Sequence, residues 1–110
     1  MTRQKLEKIQ GELAAARRRP NTFRDLKAIA TKLGRVQLTG AAARGKEPAF
    51  VSSVFPNARP ISIPNHGSRN VSPTVLKHVL NDLEDDVLRF TVQLEGQEQG
   101  DVQENGGYEN

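Results

Sequence analysis

The stretch RPISIPNHGSRNVSPTVLKHVLNDL, residues 59–83, contains the clearest structural signals of the chain. Ile61 and Ile63 alternate with a serine between two prolines, which predicts one short strand with a single buried face. After a polar loop, Ser72 and Pro73 are typical of the N-cap and the first position of a helix. The helix that they begin has an apolar stripe at helical spacing, made of Val75, Leu76, Val79, Leu80 and Leu83.

Length and composition predict one small domain. The chain has 110 residues, of which 35% are hydrophobic, with four Phe, one Tyr and no Trp, so the core should be small. The absence of cysteine excludes disulfides and thiolate metal sites and favours a cytoplasmic setting. No apolar run is long enough for a signal peptide or a membrane span, and no phosphate-loop, dinucleotide or metal-ligand motif occurs, so we expect neither a membrane partner nor a cofactor.

The charge is divided unevenly along the chain. Residues 1–80 contain 15 of the 16 Lys and Arg and four acids, a net charge of +11, whereas residues 81–110 contain one Arg and nine acids, a net charge of −8. A basic body favours an anionic partner, and nucleic acid is the commonest one. The acidic end can equally keep a basic domain soluble, and the two interpretations are compatible.

Residues 1–20 are predicted to form an N-terminal basic segment, in which residues 3–19 are helical. Its apolar stripe is thin, and Pro20 ends it. The arginine cluster Arg17–Arg19 can interact favourably with the C-terminal dipole of the helix, or it can contact phosphate. We expect this helix to pack loosely, as an appendage. The stripe consists of Leu6, Ile9, Leu13 and Ala16.

The second helix has strong signals at both ends. Thr22 is a typical N-cap, Asp25 stands at the capping-box position, and Gly34 is the usual left-handed residue after a helix. Its predicted core face is Phe23, Leu26, Ile29, Ala30 and Leu33, with Arg24, Lys27 and Lys32 outside.

Two further strands precede the Pro-flanked one. Residues 35–39 alternate with Val36 and Leu38 inward, and residues 49–54 place Phe50 on the core face. The prediction is an α+β domain over residues 21–95, in which a three-stranded antiparallel sheet has two helices on one face. Residues 88–94 fit an edge strand slightly better than a continued helix. The polar, acidic segment 96–110 is predicted to be a disordered tail.

The segments FRDLKAIATKLG, RGKEPAF and RPISIPNHGSRNVSPTVLKHVL, in this order, resemble the HicA family of bacterial toxins. The resemblance covers residues 23–85. It implies a fold similar to the double-stranded-RNA-binding domain, with the order helix, three strands, helix, and an endonuclease that cleaves messenger RNA until an antitoxin protein binds it.

One position departs from the family pattern. The loop before the second strand usually reads Gly-Ser-His, with a catalytic histidine, whereas the corresponding residues here are Gly45, Lys46 and Glu47. Cleavage of RNA by its own 2′-hydroxyl requires a base, an acid and cations near the phosphate. The remaining candidates are Glu47 as base and His66 as acid, with Lys46 or Arg69 as the electrostatic partner. A surface carboxylate and a loop histidine are the alternative interpretation.

The loop before the third helix is also a candidate anion site, because free N–H groups and the dipole favour phosphate at a helix start. Asn, Gly and Ser also occur in loops for conformational reasons alone. The alternative function is a protein-interaction module that binds an acidic or antitoxin-like protein. A dimer interface built from residues 88–94 or from the first helix would serve that function. The predicted RNA-binding residues are Arg44, Lys46, Ser68, Arg69 and Lys77.

Overall fold

The computed structural model describes residues 1–40 and 47–107, the stretch 98–107 by its backbone alone. The predicted α+β class is confirmed. None of the described helices is both long and apolar enough to cross a membrane. The elements are α1 (Arg3–Ala16), α2 (Phe23–Lys32), β1 (Arg35–Gln37), β2 (Ala49–Ser52), β3 (Ile61–Ser62) and α3 (Pro73–Gly107).

The three strands form one antiparallel sheet in the order β1-β2-β3, as predicted. Gln37, Phe50 and Ile61 are cross-strand partners, so they lie on the same face of the sheet. Phe50 and Ile61 on that face are buried in the core, whereas Ser62 on the opposite face is exposed. The helices therefore cover one face of the sheet and leave the other open to solvent.

The predicted inward face of β1 is wrong by one residue. Val36 is 54% exposed and Leu38 is half-buried, whereas Arg35 is 3% exposed. Side chains alternate between the two faces of a strand, so a shift of one residue exchanges the whole inward set. The exchange occurs because Asp86 of α3 lies beneath β1 and accepts two hydrogen bonds from the Arg35 guanidinium.

Helix α1 is part of the core, in contrast to the predicted loose appendage. Its four stripe residues are at most 4% exposed, and they belong to the same buried cluster as α2, the sheet and α3. The Arg17 guanidinium also bonds the Glu84 carboxylate and the Asn81 side chain of α3, at 2.6–2.9 Å. A thin stripe is sufficient here because its four residues join one buried cluster with residues of α2 and α3.

Helix α3 begins at Pro73 as predicted, and the Ser72 hydroxyl accepts a hydrogen bond from the Val75 N–H. Its extent differs from the prediction, because residues 88–94 are helical rather than a strand. Val87 and Phe90 are buried and continue the apolar stripe at spacings of three and four residues, and the Phe90 ring lies 4.7 Å from that of Phe55. The helical backbone continues through residue 107, where the composition predicted a disordered tail.

The end signals of α2 are confirmed. Thr22 and Asp25 form a capping box, with the Thr22 hydroxyl accepting from the Asp25 N–H and the Asp25 carboxylate accepting from the Thr22 N–H. Gly34 has a φ of +83°, in the left-handed region that glycine adopts most readily. The sharp turn that follows sends the chain directly from α2 into β1.

Candidate nucleic-acid interface

An open groove of about 920 Å³ lies between α2 and the loop that connects β3 to α3. We call it the α2 groove. The α2 side combines two cations with an aromatic ring, and the loop side contributes small polar residues. Its lining consists of Thr22, Phe23, Arg24, Lys27, Ala28, Thr31, Asn65, Gly67 and Ser68.

Hydrogen bonds around Asn21 hold the two sides of the α2 groove together. The Asn21 carbonyl accepts from the Val71 N–H at 2.8 Å, and Thr22 forms an antiparallel bridge with Asn70. The fully buried Asn21 side chain donates to the Ala16 and Arg19 carbonyls, both at 2.8 Å. The end of α1, the start of α2 and the loop before α3 are therefore fixed relative to one another.

The α2 groove carries two positive charges that no described acidic side chain neutralises. Arg24 and Lys27 are exposed, and neither forms an ion pair with another described residue. The Lys27 Nζ lies 5.9 Å from the centre of the Phe23 ring, which is itself half-buried and 6.0 Å from the Phe50 ring. This arrangement can contact a phosphate through its cations and pack a sugar or a base against the aromatic ring.

The loop side of the groove is a turn stabilised by its own hydrogen bonds. The Asn65 side chain accepts from the Gly67 N–H at 3.0 Å, Gly67 has a φ of +68°, and the Arg69 N–H donates to the His66 carbonyl at 3.3 Å. The turn places Ser68 in the groove lining opposite α2. Ser68, which the sequence predicted as a binding residue, thus lies across the α2 groove from the cations of α2.

The two predicted catalytic residues lie in loops at the same end of the sheet. Glu47 directly precedes Pro48, and the Pro48 carbonyl accepts a hydrogen bond from the Ile63 N–H at 3.0 Å. Ile63 is in turn three residues before His66. Both side chains are exposed, and neither makes a hydrogen bond or ion pair with another described residue. Nothing in the described part of the chain therefore holds them as an acid/base pair.

The other predicted RNA-binding residues add nothing to the described lining of the α2 groove. Arg69 and Lys77 are exposed but do not line the α2 groove. Arg44 and Lys46 fall outside the described residues. Among the predicted residues that the structure describes, Ser68 is thus the one that lines this groove.

Sequence reasoning missed the contribution of α2. Arg24, Lys27 and Thr31 recur at spacings of three and four residues, which places them along one side of the helix. The same spacing identified the opposite, apolar face of α2 as core, so the signal was present. The sequence did not show that the loop between β3 and α3 lies opposite these residues, because the contacts of Asn21 determine the position of that loop.

A smaller cleft of about 210 Å³ near the sheet has balanced charges. Arg59 and Arg89 line it together with Asp82 and Asp85, above the buried Arg35. Because opposite charges adjoin there, this cleft is less suited to an anion than the α2 groove.

The chemistry of the α2 groove is that of binding by cations and hydroxyls. Among the side chains that the structure describes, no group of three or more His, Asp or Glu residues could hold a metal ion. Comparison with protein-family models, with curated proteins and with solved structures found no match to this chain.

Proposed function

We propose that this chain is a HicA-like, RNA-binding protein of the toxin–antitoxin type, and that RNA binds in the α2 groove. The observation that carries the proposal is the pair of cations Arg24 and Lys27, which form no ion pair with a described residue. Lys27 lies over the Phe23 ring, and both cations line the groove opposite Ser68. We further propose a double-stranded-RNA-binding type of fold. The order α2-β1-β2-β3-α3, with helices on one sheet face, supports this assignment.

The groove offers each kind of contact that RNA uses. Lysine and arginine neutralise phosphates and release counterions, which supplies most of the affinity. Hydroxyl and amide side chains such as Ser68 and Asn65 can bond the 2′-hydroxyl that distinguishes RNA from DNA. Two cations make a small site, so the affinity should be moderate and strongly dependent on salt.

Binding without efficient cleavage is the activity that we propose. A general base must be positioned within hydrogen-bonding reach of the proton that it removes. The exposed Glu47 and His66 side chains have no described partner that would orient them. An antitoxin-like protein remains the proposed protein partner, and the cytoplasm, where messenger RNA is translated, is the proposed location.

The test is the binding of the purified chain to a short RNA duplex, measured by fluorescence anisotropy over a series of salt concentrations. In the Arg24→Ala/Lys27→Ala variant we expect weaker binding and a salt slope reduced by about one unit per cation. The matched control is Lys8→Ala, which removes an exposed lysine of α1 outside the groove. Circular dichroism spectra should show that all variants remain folded.

The opposite result would favour the alternative function. If the double variant and Lys8→Ala bind RNA as the wild type does, the α2 groove is not the RNA site. Tight binding to an acidic protein together with no salt-dependent RNA binding would identify a protein-interaction module instead.

A further inference from the structure

Two large apolar side chains of α3 are exposed next to each other. Leu88 is 62% exposed and Val92 is 66% exposed, and they are four residues apart on one helix. Their spacing places them one turn apart on the same side of α3. We call this pair the α3 stripe.

The α3 stripe borders a groove between α1 and α3. Leu13 of α1 and Val87 of α3 are largely buried at this groove, whose volume is about 380 Å³, and Leu88 belongs to its lining. Helix α1 runs antiparallel to α3, because Arg17 bonds Glu84 whereas Leu13 adjoins Val87 and Leu88. The stripe therefore continues an apolar surface to which two helices contribute.

Helix α3 extends well beyond the core of the domain. Its 35 residues correspond to about 52 Å at 1.5 Å per residue. The last described side chain that packs against the core is Leu94. The segment 95–107 contains four glycines and is otherwise mostly polar, a composition that does not sustain an isolated helix in water. Contacts with another molecule would stabilise a helix there.

We propose that a second copy of this chain covers the α3 stripe, with the two α3 helices antiparallel and crossing at Leu88 and Val92. Such a pair has twofold symmetry, so every contact occurs twice. A crossing midway between these two residues sets residue 99 of one helix level with Asn81 of the other. Asn81 is a residue to which Arg17 at the end of α1 bonds.

Charge complementarity favours a second copy as the occupant. Segment 95–107 contains four acids and no Lys or Arg. The antiparallel pairing sets it level with the end of α1 in the other copy, which Arg18 and Arg19 follow directly in the chain. These two arginines are exposed and form no ion pair with another described residue. The acidic end of each copy thus lies beside a basic cluster of its partner.

The first test measures molar mass in solution by light scattering after size-exclusion chromatography. The wild-type chain should elute with twice the mass of one 12.1 kDa chain, whereas Leu88→Glu and Val92→Glu should elute as monomers. The matched control is Val36→Glu, because Val36 is a similarly exposed residue, at 54%, but lies on the open sheet face. A wild-type monomer at the highest soluble concentration, or a dimer that both α3 variants retain, would overturn the proposal.

A charge exchange tests the orientation of the pair. One variant carries Arg18→Glu/Arg19→Glu, and the other carries Glu95→Lys/Glu98→Lys/Asp101→Lys. Each alone should be monomeric at concentrations where the wild type is dimeric, because like charges then meet at both contacts. A mixture of the two should form heterodimers, since opposite charges meet again. If the mixture stays monomeric, or if either variant alone dimerises as the wild type does, the antiparallel arrangement is wrong.

Discussion

The Arg35 guanidinium and the Asp86 carboxylate form a buried bidentate ion pair that joins β1 to α3, with both hydrogen bonds at 2.8 Å. Arg35 also donates to the Phe50 and Arg59 carbonyls, at 3.2 and 2.8 Å. Asp86 accepts a further hydrogen bond from Arg89 at 2.7 Å. The Arg35 guanidinium thus connects β1, β2 and the residues just before β3 to α3.

Removal of one partner of this pair should destabilise the fold strongly. Arg35→Met leaves Asp86 buried with Arg89 as its ion-pair partner, and we expect a loss of about 3 kcal/mol in the free energy of unfolding. Urea denaturation followed by circular dichroism measures it. In Arg35→Met/Asp86→Leu the buried charge is also removed, so part of the loss should be recovered. A double variant less stable than the single one would contradict this account.

Two glycines should respond to alanine with opposite signs. Gly34 has a φ of +83°, and a Cβ there would lie 3.0 Å from the Val54 side chain, so Gly34→Ala should cost more than about 1 kcal/mol. Gly11 lies within α1 and a Cβ would meet nothing within 4 Å, so Gly11→Ala should stabilise by about 0.5–1 kcal/mol. Thermal denaturation of both variants provides the comparison. A rise in Tm for Gly34→Ala would show that the turn tolerates a side chain.

The Arg17–Glu84 pair should make stability depend on acidity. The hydrogen bond from Arg17, aided by its charge, lowers the pKa of Glu84 below its usual value despite partial burial, which acts in the opposite direction. A carboxyl group whose pKa is lower in the folded state stabilises the fold at pH values above its unfolded-state pKa. This stabilisation is lost as the pH falls through the folded-state pKa. The pair is partly exposed, so its contribution should be about 0.5 kcal/mol.

The corresponding measurement compares urea midpoints of the wild type and Glu84→Gln at neutral pH and at a pH below the usual carboxyl range. The difference between the two proteins should be present at neutral pH and disappear in acid. A difference that persists unchanged in acid would assign the effect of the substitution to packing.

Ribonuclease activity should be weak or absent. The family resemblance implies a histidine in the loop before β2, where this chain has Glu47, and the exposed His66 has no described partner to orient it. We expect little cleavage of messenger RNA by the purified chain and little growth arrest on expression. Strong arrest that Glu47→Gln or His66→Ala abolishes would establish the alternative acid/base pair.

Local signals in the sequence predicted several features correctly, because each depends on residues close in the chain. The Thr22–Asp25 capping box, the left-handed Gly34 and the helix start at Ser72 were all identified this way. The three-stranded antiparallel sheet was predicted as well, with its strands identified from the alternation of polar and apolar residues. Of the candidate site, Ser68 was predicted as a binding residue and lies in the groove lining, and the cations of α2 were recognised as exposed but not as part of a groove.

The features that the sequence left open depend on contacts between distant segments. The inward face of β1 reversed because Asp86, 51 positions away, accepts the Arg35 guanidinium, and a hydrophobicity pattern cannot represent that pairing. Residues 88–94 alternate as a strand would, but Phe90 meets Phe55 only if α3 continues. The α2 groove exists because Val71 bonds the Asn21 carbonyl. Amino-acid sequence alone therefore determined both ends of α2, the start of α3 and the pairing of the strands, which depend on local conformational preferences, and it determined the division of charge. Tertiary packing decided the strand face, the helical state of residues 88–94 and the site.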